Sequence, residues 1–197
     1  MDTKILNSAI TLSPKYKSLI NRFKELRAED SRLPLLVDGV SDGAMYSLLY
    51  SLTKDIKEES GKVSLILVGE ERRASKLNDF LKKSGIKSEF YPVRDFNFYD
   101  ITASRDLEHE RLKVLFGVLF ESLDVVVTTP DALLQYTMPK DVLKSSSVSI
   151  NLDTSLDVSS FSSSLYNMGY SPAEKVEGPG QYAVRGGIID VFPTKCE

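Results

Sequence analysis

An arginine followed by two glycines, Arg185-Gly186-Gly187, stands between two short apolar runs, Gln181-Tyr182-Ala183-Val184 and Ile188-Ile189-Asp190-Val191-Phe192-Pro193. A guanidinium is a planar donor fork suited to a carboxylate, and glycines beside it let the backbone bend. Held there, the fork can be presented to a carboxylate on a partner. Gly178-Pro179-Gly180 opens a turn before it, Gln181 to Arg185 alternates as a strand, and Asp190 and Pro193 read as stops to the second run. The structural alternative is that Arg185 bonds backbone within its own sheet.

A second place for chemistry is Leu35-Leu36-Val37-Asp38-Gly39-Val40-Ser41-Asp42-Gly43-Ala44-Met45. It occupies the position of a phosphate loop, in which glycine amides cradle phosphate, a lysine pairs with its charge and a Ser/Thr hydroxyl holds the metal. Against G-x-x-x-x-G-K-[ST], Asp38 stands for the first glycine, Gly43 matches the second, and Ala44 and Met45 replace Lys and Ser/Thr. Asp38 and Asp42 would bring negative charge toward phosphate. The expectation is a domain that neither binds nor hydrolyses ATP and takes no cofactor. A plain strand-turn-helix that never served phosphate agrees with the same residues.

Neither H-E-x-x-H nor a cysteine pair is present. Cys196 is the one cysteine and His109 the one histidine, so together they build neither a disulfide nor a metal site. His109, within Glu108-His109-Glu110-Arg111, reads as a solvated or ion-paired helix residue. Glu58-Glu59 and Glu70-Glu71 sit at helix ends and read as surface charge and dipole partners.

The elements that must position these residues alternate. Apolar residues at Tyr16, Leu19, Ile20, Phe23 and Leu26 keep helical spacing from Pro14 to Glu29. Leu35-Leu36-Val37 reads as a buried strand, Gly43 to Glu59 as a helix, Val63 to Val68 as a strand and Glu70 to Ser84 as a helix closed by Gly85. Ser88 to Tyr91, Asp106 to Glu121, Asp124 to Thr128 and Asp131 to Gln135 continue as strand, helix, strand and short helix. The rhythm predicts an α/β fold, a parallel sheet with helices on both faces. Between Ser145 and Ser164 ten of twenty residues are serine and the rhythm breaks. A domain boundary is placed near Lys144, giving 1–144 and 145–197. The serine tract is either a flexible linker or part of a small α+β element, in which Val148, Ile150 and Leu152 alternate as a strand and Phe161, Leu165 and Met168 keep helical spacing.

The 197 residues suffice for a real core, with 42% hydrophobic and 27% charged. The net charge of −3 falls on residues 145–197, which carry 6 acidic and 3 basic side chains. A chain gripping nucleic acid by itself would show a basic excess. Arg72-Arg73 and Lys82-Lys83 read as solvated helix faces. No apolar run approaches a membrane span and the first ten residues lack signal-peptide character, so a cytoplasmic protein without membrane partners is expected.

The run from Gly178 to Pro193 resembles the signature of the UvrB-like region of bacterial transcription-repair coupling factors. Three further stretches agree. Tyr91-Pro92-Val93-Arg94-Asp95-Phe96-Asn97-Phe98-Tyr99-Asp100 with Glu110-Arg111-Leu112 is similar to the family's aromatic segment and following helix, as are Val125 to Leu134 and Gly169-Tyr170 before Val176-Glu177. The resemblance implies a helicase-like domain 1A with a degenerate phosphate loop over 1–144. After it comes a small, incomplete α+β domain 2 over 145–197, the surface that binds the repair ATPase UvrA. It implies a non-catalytic module that recruits UvrA to stalled RNA polymerase in transcription-coupled nucleotide excision repair, with Arg185, Gly186 and Gly187 at the contact. RNA polymerase and DNA would be met only by downstream domains of a longer translocase. An intramolecular C-terminal domain would mask the UvrA surface in the whole factor. Only Ile101 to Arg105 separate Asp100 from the next helix, which leaves no room for the DNA-clamping hairpin of UvrB. The competing readings are a nucleotide-dependent UvrB- or helicase-type domain, and a small-molecule domain with a polar pocket near Asp38 to Asp42.

Overall fold

The computed structural model describes residues 9–94 and 106–194. The aromatic positions Asp95 to Asp100, the stretch Ile101 to Arg105, Cys196 and the first eight residues lie outside the described residues. After a 3-10 turn at Ile10–Leu12 come α1 (Pro14–Ala28), α2 (Asp42–Ser60), β1 (Ser64–Leu67), α3 (Glu71–Lys83), β2 (Ser88–Tyr91), α4 (Asp106–Leu119), β3 (Val125–Thr128) and α5 (Pro130–Leu133). Then follow α6 (Lys140–Ser145), α7 (Val158–Asn167), β4 (Ser171–Pro172), β5 (Gln181–Arg185) and β6 (Ile188–Phe192). The chain divides into two compact units, Met1–Tyr91 with Glu121–Pro130, and Pro92–Phe120 with Asp131–Glu197.

The first unit is built on a parallel sheet in the order β1-β3-β2. Val125 of β3 stands opposite Ser64 on one side and Ser88 on the other. A middle strand that is covered on both faces needs apolar residues throughout, and Val125-Val126-Val127-Thr128 is buried at all four positions. Helices α2 and α3 cover one face, joining Tyr50, Ala74, Leu77 and Leu81 to Ile86, Val125 and Val127 in one core. The Tyr46 and Phe80 rings extend it, with centroids 5.2 Å apart. Edge strand β1 alternates instead, turning Leu65 and Leu67 outward, half exposed. The expected α/β class is what forms.

Four polar side chains tie the elements of this unit together. Ser88 Oγ donates to Asn78 Oδ1 at 2.7 Å, tying β2 to α3. Thr128 Oγ1 donates to the Tyr91 carbonyl at 2.8 Å, bonding β3 to β2 beyond their ladder. Lys57 Nζ reaches the Leu123 carbonyl at 3.0 Å. The Tyr16 hydroxyl donates to Asp55 Oδ2 at 2.7 Å and anchors α1 to α2. Burial, then the hydrogen bond and charge of Asp55, push the Tyr16 pKa far above its ordinary value.

One expected strand of the first unit is absent. Leu35-Leu36-Val37 has no ladder partner and is exposed, Leu36 to 91%. Three apolar residues are too few to distinguish a strand from other apolar contact, and Pro34 before them has no N–H to give a sheet. Leu33 and Leu35 instead line an open cleft of about 360 Å³ with Phe23 and Leu26 of α1.

In the second unit Arg111 of α4 is buried, 5% exposed. Its Nη1 donates to the Pro92 carbonyl at 2.7 Å, the Gln135 side chain at 3.1 Å and the Ala132 carbonyl at 3.4 Å. Gln135 in turn accepts from the Arg94 N–H at 2.7 Å and donates to its carbonyl at 3.2 Å. An arginine among carbonyls is thus the knot that holds 92–94 against 132–135. Lys144 lies within α6. The strand expected across Val148, Ile150 and Leu152 does not form. Thr154 donates to the Asn151 carbonyl and its hydroxyl accepts from the Asn151 N–H, both at 2.9 Å, so the chain turns there with its apolar side chains outward. The helix expected around Phe161 and Leu165 does form, as α7. Asp157 caps it, accepting from the N–H and hydroxyl of Ser160 at 2.8 Å, and these bonds hold its carboxyl below the usual carboxylate range.

Replacing Asn78 by leucine keeps the bulk but leaves the Ser88 hydroxyl buried without its acceptor. The unfolding free energy is expected to fall by about 1–3 kcal/mol. Denaturation followed by circular dichroism measures this in a chain without tryptophan, and an unchanged midpoint would remove the bond from the account. The Tyr16 contact favours the neutral phenol, so its contribution is intact below the unfolded-state pKa of about 10 and is lost as the pH rises above it. Tyr16→Phe should therefore show a shallower loss of stability than the parent above about pH 10. Parallel pH profiles would count against this.

Candidate functional site

The β5–β6 hairpin is assembled from short-range rules. Gln181 braces the turn before it, its Oε1 accepting from the N–H groups of Glu177 at 2.8 Å and Gly178 at 3.1 Å. Gly180 then bonds both neighbours, donating to the Phe192 carbonyl at 2.9 Å and accepting from the Ser171 N–H at 2.8 Å. Its φ of +77° favours glycine here, and the His109 ring, 3.3 Å from where a Cβ would stand, leaves a side chain little room. Strand β4 lies parallel to β5 and β6 antiparallel to it. Helix α7 packs on both long strands, with Leu165, Tyr182 and Ala183 buried.

At the far end the two-residue turn Gly186-Gly187 places Arg185 opposite Ile188. Gly186 has φ +61°, the positive first position that tight hairpin turns with matching twist demand. Ala183 pairs with Asp190, so on a pleated sheet Arg185, Ile188 and Asp190 share a face and Asp190 is the diagonal neighbour of Arg185. Arg185 Nη2 donates to Asp190 Oδ2. The side chains of Arg185 and Asp190 remain 63% and 43% exposed. Ile188 is also exposed on this face, and Val184 on the opposite one. No atom lies within 4 Å of where a Cβ would stand on Gly186 or Gly187, so the space over the turn is open.

Two readings of the sequence change here. Asp190 does not stop the strand, because β6 runs through it to Phe192. A mid-strand aspartate is tolerated at this edge because its carboxylate is exposed and paired to Arg185. Sequence reasoning missed that partnership, although a two-residue turn after Arg185 fixes the diagonal. His109 is not simply a solvated or ion-paired residue. Its Nδ1 is buried without a hydrogen-bond partner and its ring packs on Gly180.

The other candidate positions form no cluster. Asp38 is exposed on the irregular stretch after Val37, and Gly43, Ala44 and Met45 lie in the first turns of α2. The N–H groups of Ala44 and Met45 donate to the Ser41 carbonyl at 2.9 and 3.1 Å. Gly39-Val40-Ser41-Asp42-Gly43 also has the G-x-S-x-G spacing of a hydrolase elbow, which the sequence reading overlooks. No strand leads into it, and Ser41 has φ −69° and ψ 150°, an unstrained extended conformation and not a sharp elbow. Arg73 pairs with Glu70 at 3.1 Å and Lys82 with Glu89 at 2.8 Å, as solvated helix faces would. Among the described residues no three of His, Cys, Asp and Glu gather as a metal site, and no helix is long and apolar enough to cross a membrane.

Comparison with known proteins bears on the hairpin directly. Residues 148–197 match the UvrB interaction domain family. The chain is 26% identical over 193 residues to the transcription-repair-coupling factor of Bacillus subtilis (strain 168), covering 98% of this chain and 16% of that protein. It is 28% identical over 181 residues to the factor of Staphylococcus epidermidis, covering 90% and 15%, and 27% over 175 residues to that of Staphylococcus haemolyticus, covering 87% and 15%. The chain spans 15–16% of the length of these relatives. Over most of its length, then, the chain is similar to one segment of the bacterial transcription-repair-coupling factors, and its residues 148–197 match the UvrB interaction domain model.

Proposed function

We propose that this chain is a non-catalytic docking module that binds UvrA through the β5–β6 hairpin, with Arg185, Gly186 and Gly187 at the contact. The observation that carries this reading is a coincidence of place. The UvrB interaction domain match falls on the residues that build the hairpin and hold a guanidinium at its open turn. An exposed arginine fork next to a turn with no side chains of its own can meet a partner carboxylate or carbonyl at close range. The similarity to transcription-repair-coupling factors extends the reading: the module recruits UvrA to stalled RNA polymerase in transcription-coupled nucleotide excision repair, in the cytoplasm. Polymerase and DNA would be engaged by other parts of a longer factor, and a C-terminal domain of that factor would cover the hairpin until it is needed. On this reading Asp38, Gly43, Ala44 and Met45 serve structure alone, and no nucleotide is required.

Calorimetric titration of purified UvrA tests this. Arg185→Ala is expected to weaken binding about 10- to 100-fold, the range of an interface arginine at a hot spot. Gly187→Asp, at a position where a side chain has room, should weaken it without unfolding the chain. Undiminished capture by Arg185→Ala with an unchanged circular dichroism spectrum would refute the assignment. Titration with Mg-ATP is expected to give no heat of binding; micromolar affinity would favour a nucleotide-dependent domain instead.

A further inference from the structure

We infer that Asp190 is the positioning residue of the docking site, holding the Arg185 fork in the orientation a partner meets; this rests on the docking reading above. The observation is the Arg185–Asp190 ion pair across the β5–β6 hairpin, on the face that also carries Ile188. A long arginine side chain at an exposed turn samples many rotamers, and immobilising it on association costs affinity. The pair lowers that cost in advance, since Asp190 stands on a ladder position opposite Ala183 and is set by backbone bonds. One terminal nitrogen of the guanidinium is engaged by Asp190, and the side chain stays 63% exposed, so donors remain for a partner. An exposed ion pair adds little to folding stability. Its presence at the turn is therefore better explained by orientation than by stability.

The pair also neutralises the charge of the arginine locally, while residues 145–197 as a whole are acidic. Docking of this kind works by the geometry of the donor fork and not by long-range attraction. Arg185→Lys, which keeps the charge and loses the planar fork, should not restore binding.

A double-mutant cycle in UvrA binding decides the matter. Asp190→Ala and the isosteric Asp190→Asn are each expected to weaken binding about 3- to 10-fold in the parent chain, and to have no further effect in the Arg185→Ala background. Asp190→Glu should recover part of the loss. Equal losses in both backgrounds would mean that Asp190 touches the partner itself or merely supports the fold. Tighter binding by Asp190→Asn would mean that it competes with the partner. Either result overturns the inference while leaving Arg185 as a contact. An Arg185→Ala chain that binds as the parent does would instead overturn the docking reading and this inference together. Circular dichroism of each variant separates loss of fold from loss of contact.

Discussion

A hairpin closed by two residues has one register, and the recognition face of this chain depends on it. With Gly186 in the left-handed region, Arg185 must stand opposite Ile188, and every later pair on the ladder follows. Because side chains alternate, a slip of one residue would send Asp190 to the opposite face and leave Arg185 beside apolar neighbours. The constraint reaches back to the other end of the strand. There Gly180 bonds both Phe192 and Ser171, so β4, β5 and β6 share one origin.

The first unit solves a different problem. Three short strands without hairpins can be held only by crossover helices, and the middle strand must satisfy neighbours on both edges and both faces. Val125-Val126-Val127-Thr128 does so with three β-branched apolar residues and a threonine whose hydroxyl finds the Tyr91 carbonyl. Asn78 and Ser88 show the same economy, two polar side chains buried as a closed pair. The second unit uses Arg111 in this way, its guanidinium reaching the Pro92 carbonyl of a loop and the Ala132 carbonyl of the short helix α5. Its role differs from that of Arg185 because of exposure: one arginine is enclosed by its own chain, the other faces solvent.

Most elements were legible in local pattern. Ser88–Tyr91, Val125–Thr128 and both hairpin strands were readable because β-branched and aromatic residues gather in segments of four or five that end at turn chemistry. Leu35-Leu36-Val37 and Val148 to Leu152 have the same texture and form no strand. A strand exists only when another offers a ladder, and composition does not report whether one is near. The reciprocal Asn151–Thr154 turn was hidden for a related reason, since serine and threonine bond backbone locally as readily as they sit in a strand.

For function the division is similar. Sequence alone determined that Arg185 would lie at a glycine turn between two strands, because glycine pairs and alternation act over a few residues. It also determined that Ala44 and Met45 stand where a phosphate loop needs its lysine and its metal-holding hydroxyl. Only the tertiary structure decided that Asp190 continues its strand and pairs with Arg185, that His109 packs on Gly180, and that Arg111 is buried while Arg185 is not. Each of these depends on which side chains from distant positions meet and how much water is excluded between them, and such distances are set by packing and not by spacing along the chain.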